Sequence, residues 1–349
     1  MVNGHVTFAV PGDLATPTGG YAYDRRVIGE LRSLGWEVSV LDLGENFPKP
    51  GADALVRAGA QLKAAKAGAV IVDGLALGVL PDAAKDLSRT HALVALVHHP
   101  LALETGVAPA DAVALRISER AALDCARHVI TTSPTTSGIV QRDYAVTADR
   151  LTTAPPGNDV VAWSEGSGGS TVRILSVGSI VPRKGYDVLI DALATLRDLP
   201  WHLEIVGDPT RSPQTAAAIE QQIARRELGD RVILRGALID DDLATSYRTA
   251  DIFVLASHYE GYGMAASEAI AYGLPVVATD GGALGPTVAG AGIIVKPGDA
   301  AALAGALKSL VSDASARLDA RDRARAASTK LPTWRAAGEA FARVLTAVS

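Results

Sequence analysis

One cysteine, Cys125, is all that the 349 residues contain. It excludes an internal disulfide and a thiolate metal cluster, and its helical, apolar setting reads as a buried structural thiol rather than a nucleophile. Long apolar runs are missing too, since none reaches the roughly 20 residues that a membrane-crossing helix requires. Residues 1–5 lead into a short strand without the charged and apolar regions of a secretion signal, so a cytoplasmic location is expected. Positive charge is scarce. The net charge is −5 with no basic run, which argues against a nucleic-acid partner. In residues 1–150 acidic side chains slightly outnumber basic ones, so nothing there supports docking on an anionic membrane. The H-E-x-x-H pattern of metal hydrolases and the G-x-G-x-x-G fingerprint of dinucleotide binding are both absent.

What the chain does have is alternation. Short apolar runs at residues 5–10, 37–43, 69–73, 93–98 and 128–132 are separated by helical patterns. A second series occupies 173–177, 202–206, 231–234, 252–255, 275–278 and 292–295. Strands alternating with helices indicate an α/β fold of doubly wound parallel sheets. With 48% hydrophobic content, the chain has material for two cores. Between the series lie Pro155, Pro156 and Gly157, then a glycine- and serine-rich stretch over 165–170, which read as a loop and a flexible linker. The expected organisation is a Rossmann-like domain over 1–155, a linker over 156–170, a second such domain over 171–331 and a terminal helix over 332–349, with a cleft between the domains.

The densest chemistry lies in residues 257–269, Ser-His-Tyr-Glu-Gly-Tyr-Gly-Met-Ala-Ala-Ser-Glu-Ala, after the apolar strand at 252–255. Parallel strands bind ligands beyond their carboxyl ends. A helix starting near Gly263 would leave the amides of Gly263, Met264 and Ala265 without intrahelical acceptors, able to donate to a phosphate or a sugar hydroxyl. Glu260 would face that ligand from the loop. Glu268, farther along the helix, could accept two hydrogen bonds from a vicinal diol such as a ribose. Arg183 and Lys184, in the loop after the strand at 173–177, could stabilise charge building up on a departing diphosphate.

Glu260 and Glu268, with seven residues between them in E-G-Y-G-M-A-A-S-E-A-I-A-Y-G-L-P-V-V-A-T, carry a resemblance that extends from about residue 172 to 310. Over that span the chain resembles the retaining glycosyltransferases of family 4, glycosyl transferases group 1. The resemblance implies the GT-B fold, two Rossmann-like domains facing across a cleft, and retaining transfer of a sugar from a nucleotide-diphosphate donor. It implies a hexosyltransferase-type enzyme that needs no metal and no cofactor beyond its nucleotide-sugar co-substrate. UDP is favoured over GDP as the commoner family donor.

Residue by residue, Lys184 matches the family's pyrophosphate contact, with Arg183 beside it. Ser179 departs from the pattern, because many members carry arginine directly after the glycine. Glu260 would hold the transferring sugar, with Gly261 and the helix amides of Gly263, Met264 and Ala265 around it; Glu268 would bind the ribose. Gly236 and Ala237 would meet the base, and Gly19 and Gly20 would face the donor's phosphates and sugar. His98 would contact the donor sugar, with His99 as the alternative because adjacent side chains in an extended segment face opposite ways. In the family the terminal helix crosses back onto the first domain.

Other readings stay beside these. Tyr21, Tyr23, Asp24 and Arg25 read equally as acceptor-pocket lining or as ordinary amphipathic helix, and Asp42 stands where a dinucleotide enzyme would bind ribose. Asp240, Asp241 and Asp242 read as the cap and first turn of a helix rather than as a metal motif, and Asp299 as another cap. A sugar-nucleotide epimerase of the same architecture, a non-catalytic sugar-nucleotide-binding subunit and a nicotinamide-dependent oxidoreductase are the rival functions. The residues name neither the acceptor nor an oligomeric state.

Overall fold

The computed structural model describes residues 4–349; the side chain of Asp240, and with it the capping expected of that residue, lies outside the described residues. The chain divides into two compact units. One comprises Met1–Thr16, Gly20–Gly157 and Pro332–Ser349, the other Pro17–Gly19 and Asn158–Leu331.

The first unit contains a six-stranded sheet of β1 (Gly4–Val10), β2 (Trp36–Asp42), β3 (Ala69–Asp73), β4 (Ala92–Val97), β5 (His128–Thr131) and β6 (Leu151–Thr153). Its order is β2-β1-β3-β4-β5-β6, and every pairing is parallel. Strands β3 and β4 are buried along their whole length, as expected of apolar runs covered on both faces. The edge strand β2 exposes part of its length. At the other edge, β6 is the strand absent from the sequence reading. Its Leu-Thr-Thr is short and half-buried, so it is held by pairing with β5 rather than by an apolar run of its own.

The terminal helix Trp334–Val348 belongs to this unit. Thr333 caps it by accepting from the Ala336 amide, and a Cβ on Gly338 would fall 2.4 Å from Glu30 Cβ, so glycine lets this helix lie close against the helix Gly19–Ser33. Cys125, the last residue of the helix Pro109–Cys125, is half-buried rather than fully buried as expected, because the helix ends there near the surface.

The second unit repeats the plan with β7 (Val172–Val177), β8 (Trp201–Val206), β9 (Val232–Leu234), β10 (Ile252–Leu255), β11 (Val276–Thr279) and β12 (Gly292–Val295), in the order β12-β11-β10-β7-β8-β9. All these pairings are parallel as well. The stretch expected to be a flexible linker is tied to this unit. Ser164 Oγ donates to the carbonyls of Arg248 and Ala250, and Asp251 accepts from the amides of Ser167 and Arg173. The helix Asp240–Thr249 starts one residue before the expected position, with Ile239 at its cap, while Asp299 caps the helix Ala300–Ser312 through the Ala302 amide.

Both sheets reverse direction in mid-order, between β1 and β3 in one and between β7 and β10 in the other. Loops leaving such a pair of strands run to opposite faces and open a crevice, where ligands of open α/β sheets bind. In the second unit this crevice edge depends on close backbone approach. The Gly207 amide donates to the Gly236 carbonyl, and a Cβ on Gly207 would lie 1.9 Å from the Gly178 carbonyl oxygen. Gly207→Ala should therefore lower stability by about 1–3 kcal/mol, the usual cost of overpacking. Urea unfolding monitored by tryptophan fluorescence would check it; an unchanged midpoint would show that the loops can part.

Candidate functional site

In the second unit the loops after β7 and β10 are locked together by glycine. The turn Pro182–Lys184 ends at Gly185, whose φ is +63°, and a Cβ there would lie 2.2 Å from the Ala256 carbonyl oxygen. Only glycine combines that left-handed conformation with that approach. The His258 amide then donates to the Arg183 carbonyl at 2.8 Å, fixing one loop against the other.

This closure brings Arg183, Lys184 and Glu260 together. Lys184 Nζ lies 2.7 Å from Glu260 Oε1, and Arg183 Nη1 lies 3.1 Å from Oε2. Ser257 Oγ donates to Oε1 at 2.7 Å, and Arg183 Nη1 also donates to the Tyr259 carbonyl. The Glu260 backbone is fixed by its amide to the Gly281 carbonyl and by the Ala283 amide to its own carbonyl. Glu260 is 7% exposed. Burial pushes its carboxyl upward, but the charges of Lys184 and then Arg183 outweigh this and bring it down to about 2. Two cations against one carboxylate leave the cluster positively charged, at the topological switch point of its sheet.

The helix Met264–Ala271 starts just after Gly263, whose φ of +96° makes the turn into it. Its first amides therefore include Met264 and Ala265, in the turn where a helix has no internal acceptors, with Gly261 in the loop before them. Glu268 is half-buried on this helix, and Tyr247 OH donates to its Oε2 at 2.9 Å. The Tyr247 ring stacks on Tyr272 with centroids 5.0 Å apart. Tyr247 and Ser257 were not singled out from the sequence; nothing in their local pattern separates a buried tyrosine or serine with a polar partner from one without. Ser179 is half-buried at the end of β7. Gly236 is half-buried and Ala237 exposed beyond β9.

In the first unit the switch point holds a second charged cluster. His98, just past β4, has Nε2 3.2 Å from Asp24 Oδ1 and 3.3 Å from Asp73 Oδ2. Asp73 ends β3, where its Oδ1 accepts from the Leu75 amide at 2.6 Å; Asp24 is fully buried on the helix Gly19–Ser33. Burial opposes charge on His98, but Asp24 first and then Asp73 push the imidazole up to about 10. Burial also lifts Asp24 to about 7, while His98 and the Leu75 amide hold Asp73 low against its own burial. One donor atom from each of the three lies within 4.8 Å of the other two.

Gly20 lies above this ring, 3.8 Å from Cδ2 and Nε2 for a Cβ built on it, whereas Gly19, the first residue of the same helix, is grouped with the second unit. His99 turns elsewhere, with Nε2 3.1 Å from Glu104 Oε2. Asp42, which stands where a dinucleotide site would need its ribose acid, accepts from the amides of Gly12 and Gly44. Its Oδ1 is thus engaged in holding loops.

Residues 162–327 match the family model described as Glycosyl transferases group 1. The chain is 32% identical to mannosylfructose-phosphate synthase of Agrobacterium fabrum over 175 residues, covering 45% of this chain and 38% of that protein. It spans roughly half the length of the curated relatives it matches. Among solved structures, sucrose-phosphate synthase from Thermosynechococcus elongatus aligns with a TM-score of 0.84 and 24% identity, covering 99% of this chain and 100% of that one. Anabaena HepE in complex with UDP-glucose aligns at 0.79 and 20%, covering 98% and 99%. The GT-B fold expected from the sequence is the one found, two six-stranded parallel sheets flanked by helices as in these neighbours. No helix among the described residues is long and apolar enough to cross a membrane.

The Glu260 cluster sets a pH dependence. A carboxyl at about 2 in the fold and about 4.3 when unfolded contributes stability of about 3 kcal/mol. Because the folded value is the lower one, that contribution is complete above about pH 4.5 and disappears as the pH falls towards 2. Glu260→Gln should flatten the loss of stability across this window in pH-dependent urea titrations. An identical slope in the variant would show that Glu260 is not held ionised by Lys184 and Arg183.

Proposed function

We propose, from the match of residues 162–327 to the family model described as Glycosyl transferases group 1, that this protein is a retaining glycosyltransferase that moves a hexosyl group from a nucleoside-diphosphate donor, UDP before GDP, to the hydroxyl of an acceptor. The observation that carries this reading is the cluster of Arg183, Lys184 and Glu260 at the β7–β10 switch point. Charge that accumulates on a departing diphosphate is stabilised by preorganised cations, and these two are already aimed and partly desolvated. They supply the charge that a divalent ion supplies elsewhere, so turnover is expected to survive a chelator. Retention follows from front-face attack, in which the leaving phosphate oxygen takes the acceptor's proton as the new glycosidic bond forms.

Glu260 keeps the two cations in register before the donor arrives and then offers its carboxylate, with the Gly261 to Ala265 backbone, to the sugar hydroxyls. Glu268, oriented by Tyr247, binds the ribose diol. Gly236 and Ala237 face the base. Ser179 brings no charge of its own, and Arg183 takes the place of the arginine that many relatives carry there. In the first unit, Gly20 and His98 line a ligand pocket beyond β1 and β4, and His98 donates to a sugar oxygen. Similarity to mannosylfructose-phosphate synthase is the reason to screen phosphorylated hexoses first as acceptors.

The test is product formation from UDP-glucose or GDP-mannose with phosphorylated hexoses, with the product's anomeric configuration read by proton NMR. Lys184→Ala should lower turnover by about 10²–10³-fold, the usual effect of removing one transition-state charge contact. Near-normal turnover in that variant would remove Lys184 from the mechanism. Conversion of the donor to its epimer without transfer would replace the transferase reading with the epimerase one.

A further inference from the structure

The charge cluster at the β1–β3 switch point is built around a carboxylate with very little help. Asp24 is wholly buried, and neither oxygen has a hydrogen-bond partner among the described residues; the nearest donor is His98 Nε2, an ion-pair contact at 3.2 Å rather than an in-line hydrogen bond. Asp73, by contrast, is anchored by the Leu75 amide and reaches His98 Nε2 with its other oxygen at 3.3 Å. A carboxylate desolvated as completely as Asp24 stays ionised only beside a cation. His98 has three further neighbours at its backbone and ring. Thr132 Oγ1 donates to the His98 carbonyl, the Tyr23 ring stands edge-on at 5.3 Å, and Gly20 leaves room above Cδ2 and Nε2. Asp24, Asp73 and Tyr23 are the titratable groups facing the ring among the described residues. The side chain is 20% exposed although Nε2 is enclosed, so the accessible part of the ring is the rest of it, which carries Nδ1.

We propose that Asp24 and Asp73 are positioning residues that hold His98 as an imidazolium with Nε2–H turned inward, leaving Nδ1–H as a fixed donor to a ligand oxygen. With both nitrogens protonated, His98 has no lone pair for a general base. It is a standing positive charge, suited to a sugar hydroxyl or a phosphate oxygen. The consequence for turnover rests on the transferase reading above; the protonation state does not.

The test is a titration of the seven histidines of the full chain by side-chain ¹⁵N NMR, with the His98 signals identified by their loss in His98→Gln. In the native protein His98 should show the shifts of an imidazolium throughout pH 6 to 8. In Asp24→Asn and Asp73→Asn its midpoint should fall from about 10 to about 7, inside that window. Titration of native His98 in the ordinary range of about 6.5 would overturn the proposal. So would a stoichiometric shift of its signals on adding Zn²⁺ or Mn²⁺, which would make the cluster a cation site. If the native chain turns over sugar nucleotide, both Asn variants should lose about 10- to 100-fold in kcat at pH 8 and recover most of it at pH 6, where His98 regains its proton. A loss that is the same at both pH values would mean that the carboxylates serve the fold alone. If the native chain shows no turnover, the transferase reading fails and the NMR titration still decides the protonation state.

Discussion

The carboxylate of Glu260 is the interaction on which the second unit's site depends. It lies between Lys184 and Arg183, joins the loop after β10 to the loop after β7, and is ionised because those two cations outweigh its burial. Removing one partner of such a buried group typically costs about 3–5 kcal/mol, because the charges left behind have no water to solvate them. The geometry therefore explains preorganisation in a concrete sense. The cations cannot wander while the site is empty, and a ligand bringing negative charge meets donors already in place rather than flexible side chains to be ordered. Gly185 makes this possible by letting the two backbones touch, and the Gly178–Gly207 contact shapes the same edge one strand away.

The first unit solves a related problem with the signs exchanged. There one potential cation, His98, faces two buried carboxylates, where the second unit sets one carboxylate against two cations. Both clusters stand at the point where strand order reverses, and both use a residue at or just beyond a strand's carboxyl end together with one from a neighbouring element. The repetition follows from the architecture. A parallel sheet has its backbone hydrogen bonds satisfied and its faces covered, so the crevice at the switch point is where polar side chains can converge without breaking a strand.

Much of this was legible in the residues. Eleven of the twelve described strands announced themselves as apolar runs between helical patterns, and the exception, β6, is three residues long with two threonines. Arg183, Lys184 and Glu260 could be picked out because two glycine-containing loops and the Glu-x7-Glu spacing surround them, and the structure brings all three together. Asp24 and Asp73 were harder. Asp24 lies in a helix where burial of an acid contradicts the usual solvent-facing pattern, and Asp73 looks like a residue that simply ends a strand. Their meeting at His98 depends on three segments separated by 49 and 25 positions, and no local periodicity encodes that. The same holds for Tyr247, whose partner Glu268 lies on a different helix.

The most direct measurement is calorimetric titration of UDP, and of uridine as its uncharged counterpart, into the native chain and into Lys184→Ala. If Arg183 and Lys184 form the diphosphate site, UDP binds the native chain far more tightly than uridine, and most of that difference vanishes in the variant while uridine binding is unchanged. Equal affinity for UDP and uridine, or a variant that binds UDP as the native chain does, would contradict the assignment of this cluster to the donor's diphosphate.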